Sequence, residues 1–245
     1  MKIFILGDPH FGRDMSRFGE VWEDHQERIA TEWRRVVGVG DLVLIPGDFS
    51  WATTTKTIER HLDFVNSLPG KCIISPGNHD RWWKKIARLR YSDIRYLVDA
   101  HRPLGDGWTL AATMAWDSQE SPWWKEDMVE DHAQSVETLE NMLNAAHQDR
   151  PDDRILLAMH YPPRWDVSQT PTAYEEVIAR YPVDTVVYGH IHGDDLRHAH
   201  DGIFEIGGRQ VRYFNASCDR MKCCPGELMT IDSPDPRLFA ESSEP

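Results

Sequence analysis

The 245-residue chain carries 27 Lys and Arg against 40 Asp and Glu, a formal charge of -13. That balance disfavours general affinity for long nucleic acid or an anionic membrane, because both are held by clustered basic side chains. Four cysteines, two of them adjacent at Cys223 and Cys224, form neither a disulfide framework nor a CxxC pair, which favours a reducing compartment.

In chain order, residues 2–6 form a short apolar run ended by Gly7, read as a buried strand that presents Asp8 and His10 at its C-terminal edge. The run is too short for a signal sequence, and no stretch of about 18 apolar residues follows, so a soluble cytoplasmic protein is expected. Residues 20–37 read as an amphipathic helix, with Trp22, Ile29, Trp33 and Val36 at helical spacing and Gly38 as its stop. Leu42–Pro46 is a second strand with Asp48 just beyond it, and residues 56–68 a second helix broken by Pro69-Gly70. Residues 72–75 make a third strand, followed by the turn Gly77-Asn78-His79-Asp80 and a helix expected around residues 82–89.

The middle is less regular. Trp108–Thr113 reads as a strand, residues 114–124 as a Trp-rich loop, and residues 125–147 as a helix striped by Val129, Ala133, Val136, Leu139 and Leu143. Arg154–Met159 is a strand ending at His160, residues 171–181 a short helix, and residues 184–188 a strand ending at His190 and His192. Residues 203–206, 211–215 and 227–231 read as antiparallel strands, and residues 233–245 as a poorly ordered tail after a single domain spanning 1–232. No linker divides that domain. Alternating strands and helices imply an α/β fold whose functional turns gather at the C-terminal edge of parallel strands.

Asp8, His10, Asp48, Asn78, His160, His190 and His192 all follow apolar runs and would meet at that edge. Oxygen and nitrogen donors without a thiolate suit manganese, iron, zinc or cobalt, and the set is too nitrogen-rich for calcium. Seven donors exceed one tetrahedral shell; with Asp48 bridging they divide into two shells of four, as in two-metal hydrolases. Asp-x-His and His-x-His spacings place alternate side chains of extended chain on one side. His79, beside Asn78 and not needed as a ligand, is the candidate general acid, with Asp80 expected to orient it and raise its pKa.

The ordered set Asp8-Pro9-His10, Gly47-Asp48, Gly77-Asn78-His79-Asp80, His160 and Gly189-His190-Ile191-His192 resembles the signature of the calcineurin-like metallophosphoesterases. The resemblance implies a four-layer α/β/β/α sandwich with two mixed β-sheets. It implies one divalent ion on Asp8, His10, Asp48 and His192, and a second on Asp48, Asn78, His160 and His190. Manganese is the first expectation, with iron, zinc and cobalt as alternatives. Such a pair supplies hydroxide near neutral pH for hydrolysis of a phosphomonoester or phosphodiester.

Ala52 stands where phosphoprotein phosphatases of this superfamily carry a phosphate-holding Arg, and Trp51 where purple acid phosphatases carry a metal-binding Tyr. A small phosphorylated substrate is therefore expected, handled as in the smaller bacterial phosphohydrolases and phosphodiesterases. Asn78, Arg13, Arg81 and Arg164, in or near the motifs, are candidate substrate contacts, although for any one of the arginines a surface ion pair is the commoner role. Loop tryptophans 51, 82, 83, 116, 123, 124 and 165 could wall the pocket, although loop packing is the plainer account of them. Nucleotide or pyrophosphate hydrolysis and nuclease action are alternatives on the same residues, and a non-catalytic scaffold for a protein partner is the alternative of another class. The sequence does not indicate an oligomeric state.

Overall fold

Side chains alternate across each strand, and here both faces are apolar, which demands cover on both sides. The computed structural model describes residues 1–83, 91–165 and 171–240. Among them, β1 (Lys2–Ile5), β2 (Leu42–Pro46), β3 (Lys71–Ser75) and β4 (Ile94–Tyr96) run parallel in one sheet. Strand β11 (Gly226–Thr230) closes that sheet antiparallel to β1. The second sheet has the order β5-β6-β7-β8-β10-β9. Its parallel core is β6 (Trp108–Thr113), β7 (Arg154–Met159), β8 (Val183–Tyr188) and β10 (Arg209–Asn215). The edges β5 (Ala100–Gly105) and β9 (Gly202–Ile206) are antiparallel.

Three apolar layers follow from the alternation. Ile3, Ile5, Leu42, Leu44 and Ile73 face Leu110, Ala112, Leu156, Ala158 and Val187 between the sheets. The opposite faces of β1 to β3 pack on Ile29 and Trp33 of α1 (His25–Val36) and on Ile58, Leu62 and Val65 of α2 (Thr55–Asn66). Leu139 and Leu143 of α3 (Val129–Asp149) and Tyr174 and Val177 of α4 (Ala173–Ile178) cover the second sheet. The result is the expected α/β/β/α sandwich with two mixed sheets.

The differences from the sequence reading have local causes. Helix α1 starts at His25 because Asp24 adopts a left-handed φ of 48°, and residues 20–22 form a separate 3-10 turn. Of the stripe assigned to α3, Leu139 and Leu143 are buried, but Ala133 and Val129 are exposed because the helix overhangs its sheet there. Strands β4 and β5 went unread. The C-terminal strands do not form one antiparallel group: β10 is parallel to β8, and β11 joins the other sheet. Residues 233–240 are not a free tail, since Leu238 is buried between the sheets and Pro234 bridges to Gly105. The helix expected around residues 82–89 lies outside the described residues beyond Trp83. All four cysteines are free.

Candidate metal centre

Parallel strands end together, and β1, β2, β3, β7 and β8 each deliver a turn to the same edge. The turns are strained: Asp8, His10, Asp48 and His190 have φ of 55°, 47°, 50° and 73°. Left-handed backbone at non-glycine residues costs of order 1–3 kcal/mol each and persists where the surroundings enforce it. The chain also passes too close for side chains: a Cβ at Gly77 would lie 2.2 Å from Asp48 Oδ1, and one at Gly189 2.3 Å from Asp8 Oδ2. Asp8 is held across the two sheets by the His190 amide, 3.0 Å from each carboxylate oxygen.

The seven residues expected to meet do meet. Asp8, His10 and His192 form one group with ligand atoms within 4.8 Å of one another, and Asp8, Asp48 and His160 form a second. Asp8 belongs to both, with Oδ1 3.7 Å from His192 Nε2 and 3.6 Å from His160 Nδ1, and Asp48 Oδ2 lies 3.8 Å from His10 Nε2 and 3.6 Å from His160 Nε2. Asn78 Oδ1 approaches His160 Nε2 at 2.8 Å and His190 Nδ1 at 3.2 Å.

Hydrogen bonding fixes which nitrogens are free. His160 Nδ1 donates to the Pro46 carbonyl (3.2 Å), so its Nε2 lone pair converges with Asn78 Oδ1 and Asp48 Oδ2. His192 Nδ1 donates to Asp219 (3.1 Å), leaving Nε2 toward Asp8. Trp51 Nε1 donates to His10 Nδ1 (2.8 Å), so the neutral His10 ring carries its proton on Nε2, and binding a cation through that nitrogen would require the other tautomer, which gives up the Trp51 bond.

Burial and the neighbouring Asp8 push Asp48 well above the usual carboxylate range, while burial and neighbouring imidazoles hold His10 and His190 well below the usual histidine value. Burial also opposes charge on His192, but hydrogen bonds to Asp219 and Asp8 outweigh it and push the ring up to about 10. Packed acceptors that disfavour each other's charged forms are what a divalent cation would satisfy, and the donor set is hard to borderline. The residues fit such an ion.

His79 lines the same cavity. Its ring stacks on Trp51 (3.9 Å between centroids, 23° between planes), its amide donates to Asp48 Oδ1 (2.8 Å), and its Nε2 lies 3.9 Å from Asp48 Oδ2. Asp80 does not orient it. The Asp80 carboxylate accepts from the amides of Phe49, Ser50 and Gly77 and from Trp82 Nε1, at 2.8–3.1 Å, and so locks the Asp48 turn to the Asn78 turn. Nor is the His79 pKa raised: burial, then His160, lower it to about 4.

The three arginines expected at the substrate are elsewhere. Arg164 makes a two-point ion pair with buried Glu175 (2.7 and 2.6 Å), which also accepts from Tyr213 and from the Thr172 amide of the α4 capping box. Arg164→Ala is expected to strand the Glu175 charge and cost about 3–5 kcal/mol. A urea titration checks this, and kcat/KM of the protein that remains folded should change little. Arg13 is exposed, with its guanidinium 4.7 Å from the Trp51 ring centroid, and Arg81 is exposed; neither lines the cavity.

The cavity, about 550 Å³, is instead lined by Arg17, Met15, Phe18, Trp51, Asp117, Trp123, Tyr161 and Asp195 beside the motif residues. Of the loop tryptophans only Trp51 and Trp123 line it, while Trp82 and Trp165 are buried. Asp219, the support of His192, was also missed; it follows β10 because Ser217 bridges to Gly7 at the end of β1. Such supports orient ligands, so Asp219→Ala is expected to weaken metal affinity about 10–100-fold, measured by competition with a chromogenic chelator.

A family model described as calcineurin-like phosphoesterase matches residues 1–194. A search of curated proteins gives no match. Among solved structures the chain is similar to phosphopantetheinyl hydrolase from Mycobacterium tuberculosis, with a TM-score of 0.57 at 15% identity over 96% of each chain. It is also similar to a protein of unknown function from Aquifex aeolicus, with a TM-score of 0.49 at 16% identity over 92% of this chain and 94% of that one. No helix among the described residues is long and apolar enough to cross a membrane.

Proposed function

The chain belongs to the calcineurin-like phosphoesterase family, matched over residues 1–194, and from that premise we propose that its metal-dependent hydrolysis of phosphate esters runs at a pair of divalent cations. Asp8, His10, Asp48 and His192 would hold one ion, and Asp48, Asn78, His160 and His190 the other. The observation that carries this is the convergence of the His160 Nε2 lone pair with Asn78 Oδ1 and Asp48 Oδ2, beside the Asp8, His10 and His192 group. Bound divalent ions lower the pKa of coordinated water and neutralise phosphate oxygens.

The side chains do the rest. Asp219 and the Pro46 carbonyl aim His192 and His160, and Asp80 fixes the spacing of the Asp48 and Asn78 turns. His79, the one cavity-lining histidine outside the two proposed ligand shells, hands a proton to the departing alkoxide at its ring nitrogen. Its low pKa belongs to the chain without substrate, and a bound phosphate ester brings negative charge that favours the protonated ring. Trp51 stacks against that ring and limits its rotation.

Removing and restoring metal tests the reading. Chelator-stripped protein should lose turnover of p-nitrophenyl esters and regain it with Mn²⁺ at two ions per chain by elemental analysis. Undiminished turnover after stripping, or protein that takes up no divalent ion, overturns it.

A further inference from the structure

The walls of the cavity differ from its floor. Beside His10 and His192 stand Phe18, 5.7 Å from the His192 ring centroid, and Trp51, 6.1 Å from that of His10. Beside His190 stand Tyr161 and Trp123, with centroids at 4.2 and 6.0 Å. Trp123 is 42% exposed, the only large aromatic so open among the described residues, and its other neighbour, Trp165, braces it edge-on at 5.2 Å. An exposed, braced indole at a cavity mouth offers a stacking surface. The metal-ligating groups thus lie between two aromatic walls.

Charge points the same way. Among the described residues, outside the proposed ligands and His79, the lining offers one guanidinium, Arg17, against two carboxylates, Asp117 and Asp195. Asp195 has an exposed partner in Arg197 at 3.6 Å. Asp117 is buried and leaves Oδ1 without a hydrogen bond among the described residues. A fixed carboxylate in a partly desolvated cavity penalises each further negative charge placed nearby.

We propose that this pocket selects phosphodiester monoanions over phosphomonoester dianions, with one ester arm against Trp123 and Tyr161 and the other against Phe18 and Trp51. The inference rests on the phosphoesterase reading above. In the reaction, water forms a new P–O bond, the P–O bond to one arm breaks, the leaving alkoxide takes a proton from His79, and of the two protons that water gives up one restores the His79 ring and the other passes to solvent. The product monoester bears one more negative charge than the substrate, and Asp117 favours its departure.

The test compares bis-p-nitrophenyl phosphate with p-nitrophenyl phosphate on manganese-loaded protein. It is paired with calorimetric binding of phenylphosphonate, a dianion, and its monomethyl ester, a monoanion. The diester should have at least about ten-fold higher kcat/KM and the monoanion at least about ten-fold tighter binding, a difference of 1.4 kcal/mol. Asp117→Asn should narrow both ratios several-fold by improving the dianion, and Trp123→Ala should lower kcat/KM for the diester several-fold more than for the monoester.

Equal or better handling of the monoester and the dianion by wild type overturns the inference while leaving the phosphoesterase reading intact. Ratios unchanged in Asp117→Asn do the same. Loss of turnover of both esters with two metals bound overturns both together.

Discussion

Asp48→Asn is expected to lower kcat/KM on any ester substrate by about a thousand-fold or more. Asp48 Oδ2 lies within 4 Å of the Nε2 atoms of His10 and His160, one from each proposed ligand shell. Its Oδ1 meanwhile accepts the His79 amide. An amide of the same shape loses the charge that draws a cation to both shells, and with it several kcal/mol of transition-state stabilisation. The fold should not suffer. Asp48 is buried beside Asp8, and both effects disfavour its ionised form in the metal-free chain. Its folded pKa is therefore raised above the unfolded value, so the charge opposes folding at neutral pH and removing it does not. Thermal unfolding in chelator should show the variant no less stable than wild type, while elemental analysis shows fewer than two ions per chain. Two retained ions with full turnover would remove Asp48 from its bridging place.

His79→Ala is expected to produce a loss that depends on the leaving group. A general acid contributes about 10²–10⁴-fold when the departing oxygen needs a proton. An alkyl phosphate ester needs one, whereas nitrophenolate departs without it. The variant should therefore lose about that much on an alkyl ester and less than about ten-fold on the p-nitrophenyl compound, with metal content unchanged. Equal losses on both would assign the ring to binding rather than proton delivery. Its cavity position and its stack on Trp51 permit this test, because truncation leaves the Asp48 hydrogen bond from the residue 79 amide in place.

Both expectations use residues that could be read from the sequence, and the reason is local. Each proposed ligand lies within a few residues of an apolar strand, so strand, turn and donor appear as one short word. What could not be read depends on contacts between distant parts of the chain. Arg164 follows His160 closely enough in sequence to read as a substrate contact, yet its partner Glu175 sits in the first turn of a helix 11 residues on. Asp219 earns its place through the Gly7 to Ser217 bridge, and Arg17 and Asp117 reach the cavity from irregular loops. Asp80 was adjacent to His79 in sequence but turned to the backbone amides of two other turns. Strand β5, with Pro103 inside it, shows no alternation, and the N-terminal half of α3 has the right period with no sheet beneath it. Leu238 sits in a polar, Pro-containing segment, and only its seat between the sheets explains its burial.

Asp8, His10, Asp48 and Asn78 hang from one sheet, while His160, His190 and His192 hang from the other. Ions held between them as proposed would fasten the two halves of the sandwich, and the chain could not open there without releasing them. Ligand that binds only the folded chain adds about 2.7 kcal/mol at a hundred times its Kd. With the proposed ions in place, the lifetime of this protein against proteases would be tied to cation supply: starvation for metal would thin the population of molecules as well as silence each one.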